Sequence, residues 1–299
     1  MTPSSIPSQT GKIAVITGGN RGLGLEIAKV LAAADAQIVL ACRDPKKAKA
    51  AVAQIQLIAP NCKIETMELD VADLDSVRRF AEAFHAKYSK LDLLIHNAAA
   101  IMVPQSKTRD GFEMHLGTNH LGPFALTGLL LDRLNAADNA RVISMASLAH
   151  TLTKGLDPDD PALQKREYTQ MDAYGRSKLA ALLFTYELDR RLKQSGSRVL
   201  ALAAHPGYAA TNPDLGGFWM RLATRLFAQT AASGALPALH AATAVGVQGG
   251  DYYGPGGFKE LGGKPKKVHS SAEAHNPELA RRLWEMSEKL TQQHYLNAA

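Results

Sequence analysis

The sequence predicts an α/β fold, a doubly wound parallel sheet with helices on both of its faces. Two observations predict this class. Over the first two-thirds of the 299 residues, short apolar runs alternate with longer stretches of helical periodicity, which is typical of βαβ units. The apolar content of 46% is enough to fill a large core, and no linker or repeat divides the chain. We therefore expect a flexible N-terminal arm over residues 1–10 and a single domain over residues 11–299.

The candidate elements follow one another in a regular order. The predicted strands are residues 13–17, 37–41, 63–68, 91–96, 141–144 and 198–203. The predicted helices are residues 24–33, 45–58, 74–87, 171–194 and a stretch over 111–134 that is either continuous or interrupted. The polar, proline-containing stretch 152–169 predicts a long loop, and two further helices are expected over 218–227 and 233–247. Because ligands bind beyond the strand ends of such sheets, we expect a substrate flap at about 208–232, followed by a C-terminal extension.

Charge and composition argue against several kinds of partner. The net charge of +6 is spread along the chain, apart from a lysine group at 264–267, so a nucleic-acid partner is not expected. Two cysteines cannot build a disulfide framework, which favours a reducing, cytoplasmic location. The stretch 228–247 is interrupted by polar residues and Pro237, so it predicts a core helix rather than a membrane span. No cluster of His, Cys and carboxylates has metal-ligand spacing, and we expect no metal site.

A glycine-rich turn joins the first predicted strand to the first predicted helix. Strand 13–17 runs directly into the segment Gly-Gly-Asn-Arg-Gly-Leu-Gly over residues 18–24. This order allows the backbone to approach a pyrophosphate, while the N–H groups at the helix N-terminus face the anion. An ordinary βα turn can also contain glycines, but the flanking strand and helix favour binding. The turn therefore predicts a dinucleotide site on a Rossmann-type sheet.

The glycine spacing T-G-x-x-x-G-x-G resembles that of the short-chain dehydrogenase/reductase family. The resemblance covers nearly the whole chain, and segments 249–255 and 277–290 are similar to the retinol-dehydrogenase-like and protochlorophyllide-reductase-like members. It implies an oxidoreductase that uses a nicotinamide cofactor. It also implies that the turn residues contact this cofactor, namely Gly18, Asn20, Arg21, Gly22, Leu23 and Gly24.

The end of the second strand indicates which cofactor is preferred. An NAD enzyme usually places an acidic residue there to bind the ribose hydroxyls. Here Arg43 stands at that end, and Arg21 lies in the glycine turn, so two permanent cations are expected where a 2′-phosphate would lie. We therefore expect NADP(H). The alternative, in which Arg43 is a surface cation and Asp44 binds a ribose hydroxyl, stays open.

The resemblance implies further cofactor contacts after the third, fourth and sixth strands, at Asp70, Val71, Asn97, Ala98, Pro206, Gly207 and Thr211. Asp70 could equally be a helix N-cap. His96 and Ala100 stand where the family usually has asparagine and glycine, which puts the shape of the turn around Asn97 in doubt. His205 is expected to be a structural turn residue rather than a catalyst.

Tyr174 and Lys178 are four residues apart, so they share one face of the predicted helix 171–194. A phenol with a reference pKa of about 10 needs a nearby cation to act at neutral pH, and Lys178 would supply it. The position of the pair, after the fifth strand and a long loop, resembles that of the family's catalytic tyrosine and lysine. The resemblance implies that both residues also contact the cofactor.

Ser147 and Asn119 complete the catalytic set that the resemblance implies. Ser147 follows the fifth strand and matches the serine that binds the substrate oxygen, with Ser144, inside the strand, as the alternative. The 27 positions from Ser147 to Tyr174 exceed the usual family spacing, as in the retinol-dehydrogenase-like branch. Asn119 matches a helix asparagine that holds a water in a proton path, although a mid-helix amide can also stabilise a kink.

These residues together predict an NADP(H)-dependent oxidoreductase that moves a hydride between the nicotinamide and a carbonyl or alcohol carbon. Bulky residues over 218–227, with Met102 and Val103, suggest a medium or large apolar aldehyde, ketone or alcohol as substrate, unless they only pack the flap onto the body. One alternative is an NADP(H)-binding sensor or scaffold protein without turnover. Another is a light-driven or isomerase reaction on the same fold. The family's frequent homodimers and homotetramers are expected only if the long loop and C-terminal extension do not obstruct assembly.

Overall fold

The computed structural model describes residues 6–165, 167–207 and 230–296. In this part of the chain, one eight-stranded sheet has the order β3-β2-β1-β4-β5-β6-β7-β8, and only β8 pairs antiparallel to its neighbour. In chain order the strands are β1 (Ile13–Thr17), β2 (Gln37–Cys42), β3 (Ile64–Glu68), β4 (Leu93–His96), β5 (Arg141–Met145), β6 (Leu200–Ala204), β7 (Tyr252–Pro255) and β8 (Pro265–Lys267). The chain reverses direction across the sheet after β3, so the predicted doubly wound fold is confirmed.

All six predicted strands form, and their ends differ from the prediction by two residues at most. The sequence missed β7 and β8. Strand β7 lies inside the segment that was predicted as a glycine-rich turn, and Tyr252 pairs with Ala203 of β6. Glycine and proline weaken a strand signal, and it is the pairing with β6 that makes this short segment a strand.

The helices in the described residues are α1 (Gly22–Ala33), α2 (Pro45–Gln56), α3 (Leu74–Lys87), α4 (Met114–Leu116), α5 (Gly122–Leu129), α6 (Leu131–Asn135), α7 (Gln170–Gln194), α8 (Ala231–Thr243) and α9 (Pro277–Thr291). The predicted stretch 111–134 is interrupted, because a π-helical turn, Gly117–Leu121, joins α4 to α5, and Leu130 separates α5 from α6. Residues 152–169 form the predicted long loop, of which residue 166 lies outside the described ranges.

Alternation along the strands divides the core between the two faces of the sheet. In β1, Ala14 and Ile16 pack with α1, α2 and α8, whereas Val15 faces α3, α5, α7 and α9. Successive strand side chains point to opposite faces, so a central strand must be apolar on both. The stretch 228–247 contains α8, which packs against α1 as the predicted core helix. Among the helices described, none is both long and apolar enough to cross a membrane.

The N-terminal segment is packed over part of its length. Ile6 and Gln9 are buried, and the Gln9 backbone N–H donates to the Ala34 carbonyl over 2.7 Å. Residues 6–10 therefore belong to the folded body, and the prediction of a flexible arm through residue 10 is wrong for them. Residues 1–5 lie outside the described ranges.

Candidate active site

The glycine turn brings the backbone of three segments into contact. Gly18 has a φ of +65°, and a Cβ atom there would lie 3.0 Å from the Cα atom of Ala98. A Cβ atom on Gly24 would lie 2.4 Å from the Asn97 amide nitrogen and 2.7 Å from the Gly18 carbonyl oxygen. Helix α1 begins at Gly22, and its N-cap residue Arg21 makes no side-chain capping bond. The first turn of α1 therefore keeps the bare N–H groups that a pyrophosphate needs.

Asn97 ties the end of β4 to the end of β1. Its side-chain amide donates to the Thr17 carbonyl over 2.9 Å, and its backbone N–H donates to the Thr17 hydroxyl over 3.0 Å. His96, which replaces the family's asparagine, points elsewhere and bonds the Thr127 hydroxyl over 2.8 Å. Burial lowers the pKa of His96 to about 3, so its ring is neutral. The substitution at His96 leaves the Asn97 contacts intact.

A cleft of about 620 Å³ opens beside this turn. The predicted cofactor residues that line it are Gly18, Asn20, Arg21, Gly22, Leu23, Arg43, Asp70, Val71, Asn97 and Ala98. Gly24 packs behind the turn, and Pro206 and Gly207 follow β6 without lining the described part of the cleft. Thr211 and most of the predicted flap lie outside the described residues. The volume of the cleft, the bare N–H groups of the first turn of α1 and the close backbone contacts of the glycines fit a bound dinucleotide.

The outer end of the cleft carries the cations. Arg43 is 78% exposed at its side chain, with a guanidinium nitrogen 3.7 Å from an Asp70 carboxylate oxygen. Asp44 caps α2 by accepting from the backbone N–H groups of Lys46 and Lys47. The bond from Lys47 is the main reason why the pKa of Asp44 is lowered. Lys47 also lines the cleft, and sequence reasoning missed it, although it lies four residues after Arg43.

Asp70 is not a helix N-cap, so that alternative is wrong. Asp73 caps α3, because its carboxylate accepts from the backbone N–H groups of Asp75 and Ser76. The Asp70 carboxylate instead accepts from the Ala72 N–H over 3.0 Å within its own turn. That local bond fixes Asp70 at the wall of the cleft.

Ser147 and Tyr174 meet at the catalytic end of the site. Ser147 is the N-cap of a 3-10 turn, Leu148–Thr151, and its side chain lies close enough to the Tyr174 phenol to lower the pKa of that phenol. Ser144 is buried inside β5, where it pairs with Ala203 of β6. The geometry therefore supports Ser147, rather than Ser144, as the serine that can reach a substrate oxygen.

Burial shifts the pKa values of Tyr174 and Lys178. Burial raises the pKa of Tyr174, and the hydrogen bond with Ser147 lowers it by less. The pKa of Lys178 is lowered by burial to about 8. Its ammonium group lies 5.7 Å from the Tyr174 ring centroid and donates to the Met145 carbonyl over 2.7 Å. Desolvation of the phenolate is therefore the largest effect on the Tyr174 pKa and holds it above its ordinary value.

Asn119 lies in the π-helical turn and connects the cleft to α7. Its side-chain oxygen accepts from the Ala100 N–H over 2.8 Å, and its amide donates to the Ala100 carbonyl over 2.9 Å. The same amide donates to the Ser177 hydroxyl, which donates to the Tyr174 carbonyl. Asn119 thus holds the wall of the cleft against the helix that carries Tyr174. π-turns of this kind are frequent at functional sites.

Two buried histidines support the site without belonging to the predicted set. His150 bonds the Ser147 carbonyl through Nδ1 over 2.6 Å and accepts from the Ser271 N–H through Nε2, so it anchors the turn that starts at Ser147. His205 accepts from the Gly207 N–H and bonds the Glu260 carboxylate over 3.0 Å. This agrees with the structural role expected for His205. Only proximity to Ser147 in the sequence could have pointed to His150.

The burial of Lys178 predicts a cost in stability. A lysine whose pKa falls from 10.5 to about 8 on folding destabilises the folded state below pH 8, and this cost fades as the pH rises from 8 to 10.5. At pH 7, Lys178→Met should therefore raise the free energy of unfolding by about 1–3 kcal/mol while removing turnover. Urea unfolding at pH 7 and pH 10 checks this.

The matched control is Lys49→Met, which removes an exposed ammonium group from α2 and should change the free energy of unfolding by about 0.5 kcal/mol at most. A Lys178→Met protein that is less stable than the wild type at pH 7 would show that the bond to the Met145 carbonyl outweighs the desolvation cost.

Comparisons with known proteins identify the family of this chain. A family model described as short chain dehydrogenase matches residues 12–158. Retinol dehydrogenase 12 of Mus musculus is 42% identical over 282 residues, which cover 93% of this chain and 85% of that protein. Polyprenol dehydrogenase of Homo sapiens is 37% identical over 296 residues, which cover 95% of this chain and 86% of that protein.

Solved structures share the fold over most of the chain. An uncharacterised protein from Mycobacterium paratuberculosis is 39% identical, with a TM-score of 0.82 over 98% of both chains. A short chain dehydrogenase from Shigella flexneri is 20% identical, with a TM-score of 0.64 over 81% of this chain and 96% of that one, and shows the fold alone. Identity near 40% over nearly the full length, together with the match to the family model, shows that the chain belongs to the short-chain dehydrogenase/reductase family of oxidoreductases, among its retinol-dehydrogenase-like members.

Proposed function

We propose that this protein is an NADP(H)-dependent oxidoreductase that transfers a hydride between the nicotinamide and a carbonyl or alcohol carbon of an apolar substrate. One observation carries the proposal. Asn119 bonds Ala100 on the cleft wall and, through Ser177, the Tyr174 backbone carbonyl, so hydrogen bonds join the wall of the cleft to the helix that carries Tyr174 and Lys178. This arrangement suits proton transfer next to a bound nicotinamide.

The chain's own residues supply binding and acid–base chemistry. When bound, the cofactor supplies or accepts the hydride. The first turn of α1 would hold the pyrophosphate, and Arg21 and Arg43 the 2′-phosphate. In the reduction, Tyr174 donates its phenol proton to the substrate oxygen, and Ser147 donates a hydrogen bond to that oxygen. The Lys178 ammonium group stabilises the phenolate that remains on Tyr174, and alcohol oxidation is the reverse.

The preference for NADP(H) rests on the cations of this chain. Arg43 and Lys47 line the outer end of the cleft, while the Asp44 carboxylate is occupied as the N-cap of α2. Asp44 lines the cleft too, but its Oδ1 accepts both capping N–H groups and its Oδ2 lies 3.3 Å from the Lys47 ammonium nitrogen, so both oxygens already have partners. The distant structural neighbour from Shigella flexneri was solved in complex with NADP. That observation concerns the neighbour and is consistent with the preference proposed here.

Apolar side chains around the inner cleft support a lipophilic substrate. Ile101, Val103 and Met114 line this part of the cleft, whereas Met102, which the sequence paired with Val103, does not. Met102 has a φ of +51°, which lies in the left-handed region, so its backbone conformation differs from that of an extended chain. The printed names of the relatives refer to retinol and polyprenol, both apolar alcohols. We therefore propose medium or large aldehydes, ketones or alcohols as the substrate class.

The direct test is consumption of NADPH and of NADH with a panel of linear aldehydes and ketones, followed at 340 nm. We expect turnover with NADPH, with KM falling as the substrate becomes longer. If NADPH binds but no member of the panel is reduced, the protein is better described as an NADP(H)-binding sensor. A clear preference for NADH would contradict the roles given to Arg21 and Arg43.

A further inference from the structure

A buried carboxylate outside the catalytic set gathers donors from two segments of the chain. Glu113 caps α4, because its side chain accepts from the backbone N–H groups of His115 and Leu116 over 3.0 and 2.8 Å. The oxygen that accepts from the His115 N–H also accepts from His115 Nδ1 over 2.9 Å and from the Tyr168 hydroxyl over 3.3 Å. Burial raises the pKa of Glu113, but these hydrogen bonds together outweigh it and hold the pKa below its ordinary value. The group is therefore a stable anion that organises its neighbours.

His115 connects Glu113 to the wall of the cleft through hydrogen bonds. Its Nε2 accepts from the Val103 N–H over 3.2 Å, so the ring proton is on Nδ1, facing Glu113. Val103 itself lines the cleft. The fully buried His115 ring also packs edge-on against Tyr174, with 6.2 Å between the ring centroids. One imidazole thus contacts both the apolar wall and the phenol that donates the proton.

The long loop 152–169 is held at both of its ends. At its start, the Thr153 hydroxyl and the Lys154 N–H donate to the Asp172 carboxylate over 2.8 and 2.7 Å. At its end, the Tyr168 hydroxyl reaches Glu113 and lies 3.2 Å from His115 Nδ1. The first attachment reaches Asp172, two residues before Tyr174, and the second reaches His115, whose ring packs against Tyr174. The extra length of this loop is thereby fixed beside the catalytic tyrosine.

We propose that the hydrogen-bonded residues Tyr168, Glu113 and His115, here called the positioning joint, hold the loop 152–169 and the turn at Val103 in place. The loop and the turn would then form two walls of the substrate pocket. The joint would thereby set the size of substrate that the pocket accepts. This inference rests on the proposed function, because it assigns substrate selection at the same site. None of the three residues is given a chemical step. They act through the placement of Val103 and Tyr174.

Tyr168→Phe removes one hydroxyl and tests the joint kinetically. Loss of one hydrogen bond to a charged group should raise KM for decanal about three- to tenfold, and more than it lowers kcat, because the loosened wall fits a long chain less well. The matched control is Tyr186→Phe, which removes a hydroxyl bond to Ser270 elsewhere on α7 and should change neither constant by more than about twofold. Equal changes for propanal and decanal, or equal effects of the two variants, would overturn the joint.

A second pair of variants tests the joint without turnover. In His115→Gln the amide oxygen reaches the Nε2 position and can still accept from the Val103 N–H, whereas the shorter side chain of His115→Asn cannot. We expect hydrogen exchange of residues 100–106 to rise about tenfold or more in His115→Asn and to stay near the wild-type rate in His115→Gln. Unchanged exchange in both variants would reject the joint. If exchange behaves as expected but no aldehyde is reduced by the wild type, the proposed function and the role in substrate selection fail, and only the hold of His115 on residues 100–106 stands.

Discussion

Tyr174→Phe should lower kcat for carbonyl reduction by about 10²- to 10⁴-fold, because the substrate oxygen then has no positioned acid. The phenylalanine ring keeps the edge contact with His115 and most of the packing of α7. Binding of NADPH should therefore stay within about threefold of the wild type. Stopped-flow measurement of NADPH oxidation, with fluorescence titration of the cofactor, separates the two effects.

The control for Tyr174→Phe is Tyr186→Phe on the same helix, whose hydroxyl bonds Ser270 instead of the catalytic serine. A Tyr174→Phe protein that keeps more than about a tenth of the wild-type kcat would mean that another group donates the proton. In that case Ser147, whose side chain lies close enough to the Tyr174 phenol to lower its pKa, would be the first residue to examine.

Arg43→Ser should raise KM for NADPH by about 10- to 100-fold and change KM for NADH by less than about threefold, because charge-assisted bonds to a phosphate are lost and the rest of the cofactor is unaffected. Arg43 is suited to this measurement because its side chain is 78% exposed and a guanidinium nitrogen lies 3.7 Å from the Asp70 carboxylate. Its removal therefore leaves the core unchanged. Steady-state kinetics with both cofactors at a saturating aldehyde concentration provide the comparison.

Lys49→Ala is the matched control for Arg43→Ser, since it removes a positive charge from exposed α2 without touching the cleft. It should leave the ratio of the two KM values within about twofold of the wild type. Parallel losses with NADPH and NADH in Arg43→Ser would show that Arg43 does not recognise the 2′-phosphate. Asp44 would then become the candidate for binding the ribose hydroxyls.

Most of the central sheet could be predicted from the sequence, because buried parallel strands must be apolar on both faces. Strand β1 shows this best, since its alternate residues face the two core layers. Strands β7 and β8 could not be predicted in the same way. Tyr252 forms a strand because its backbone pairs with Ala203, a partner 49 positions away, and a local pattern carries no record of such a partner.

The candidate site divides in a similar manner. Motif positions identified Ser147, Tyr174 and the glycine turn, since each depends on a short segment with a fixed spacing. Lys47, His150 and Glu113 were missed, because each gains its role from a fold that places it beside the cleft, the serine turn or the long loop. The pKa shifts of Tyr174 and Lys178 could not be predicted from the sequence either, since the burial that causes them depends on packing from several elements.

The sequence by itself predicted the first six strands, the helices between them, the anion-binding turn and the cations Arg21 and Arg43, while its resemblance to the family supplied the candidate acid and serine. These follow from side-chain periodicity and from spacings within one element, which are local properties of the chain. Only the tertiary structure decided that Asp73 rather than Asp70 caps α3 and that Asn119 links the cleft to α7. It also decided that Tyr168, near the end of the long loop, donates a hydrogen bond to Glu113. The physical reason is that hydrogen bonds between distant segments, and the loss of water around them, exist only once the sheet has brought those segments together.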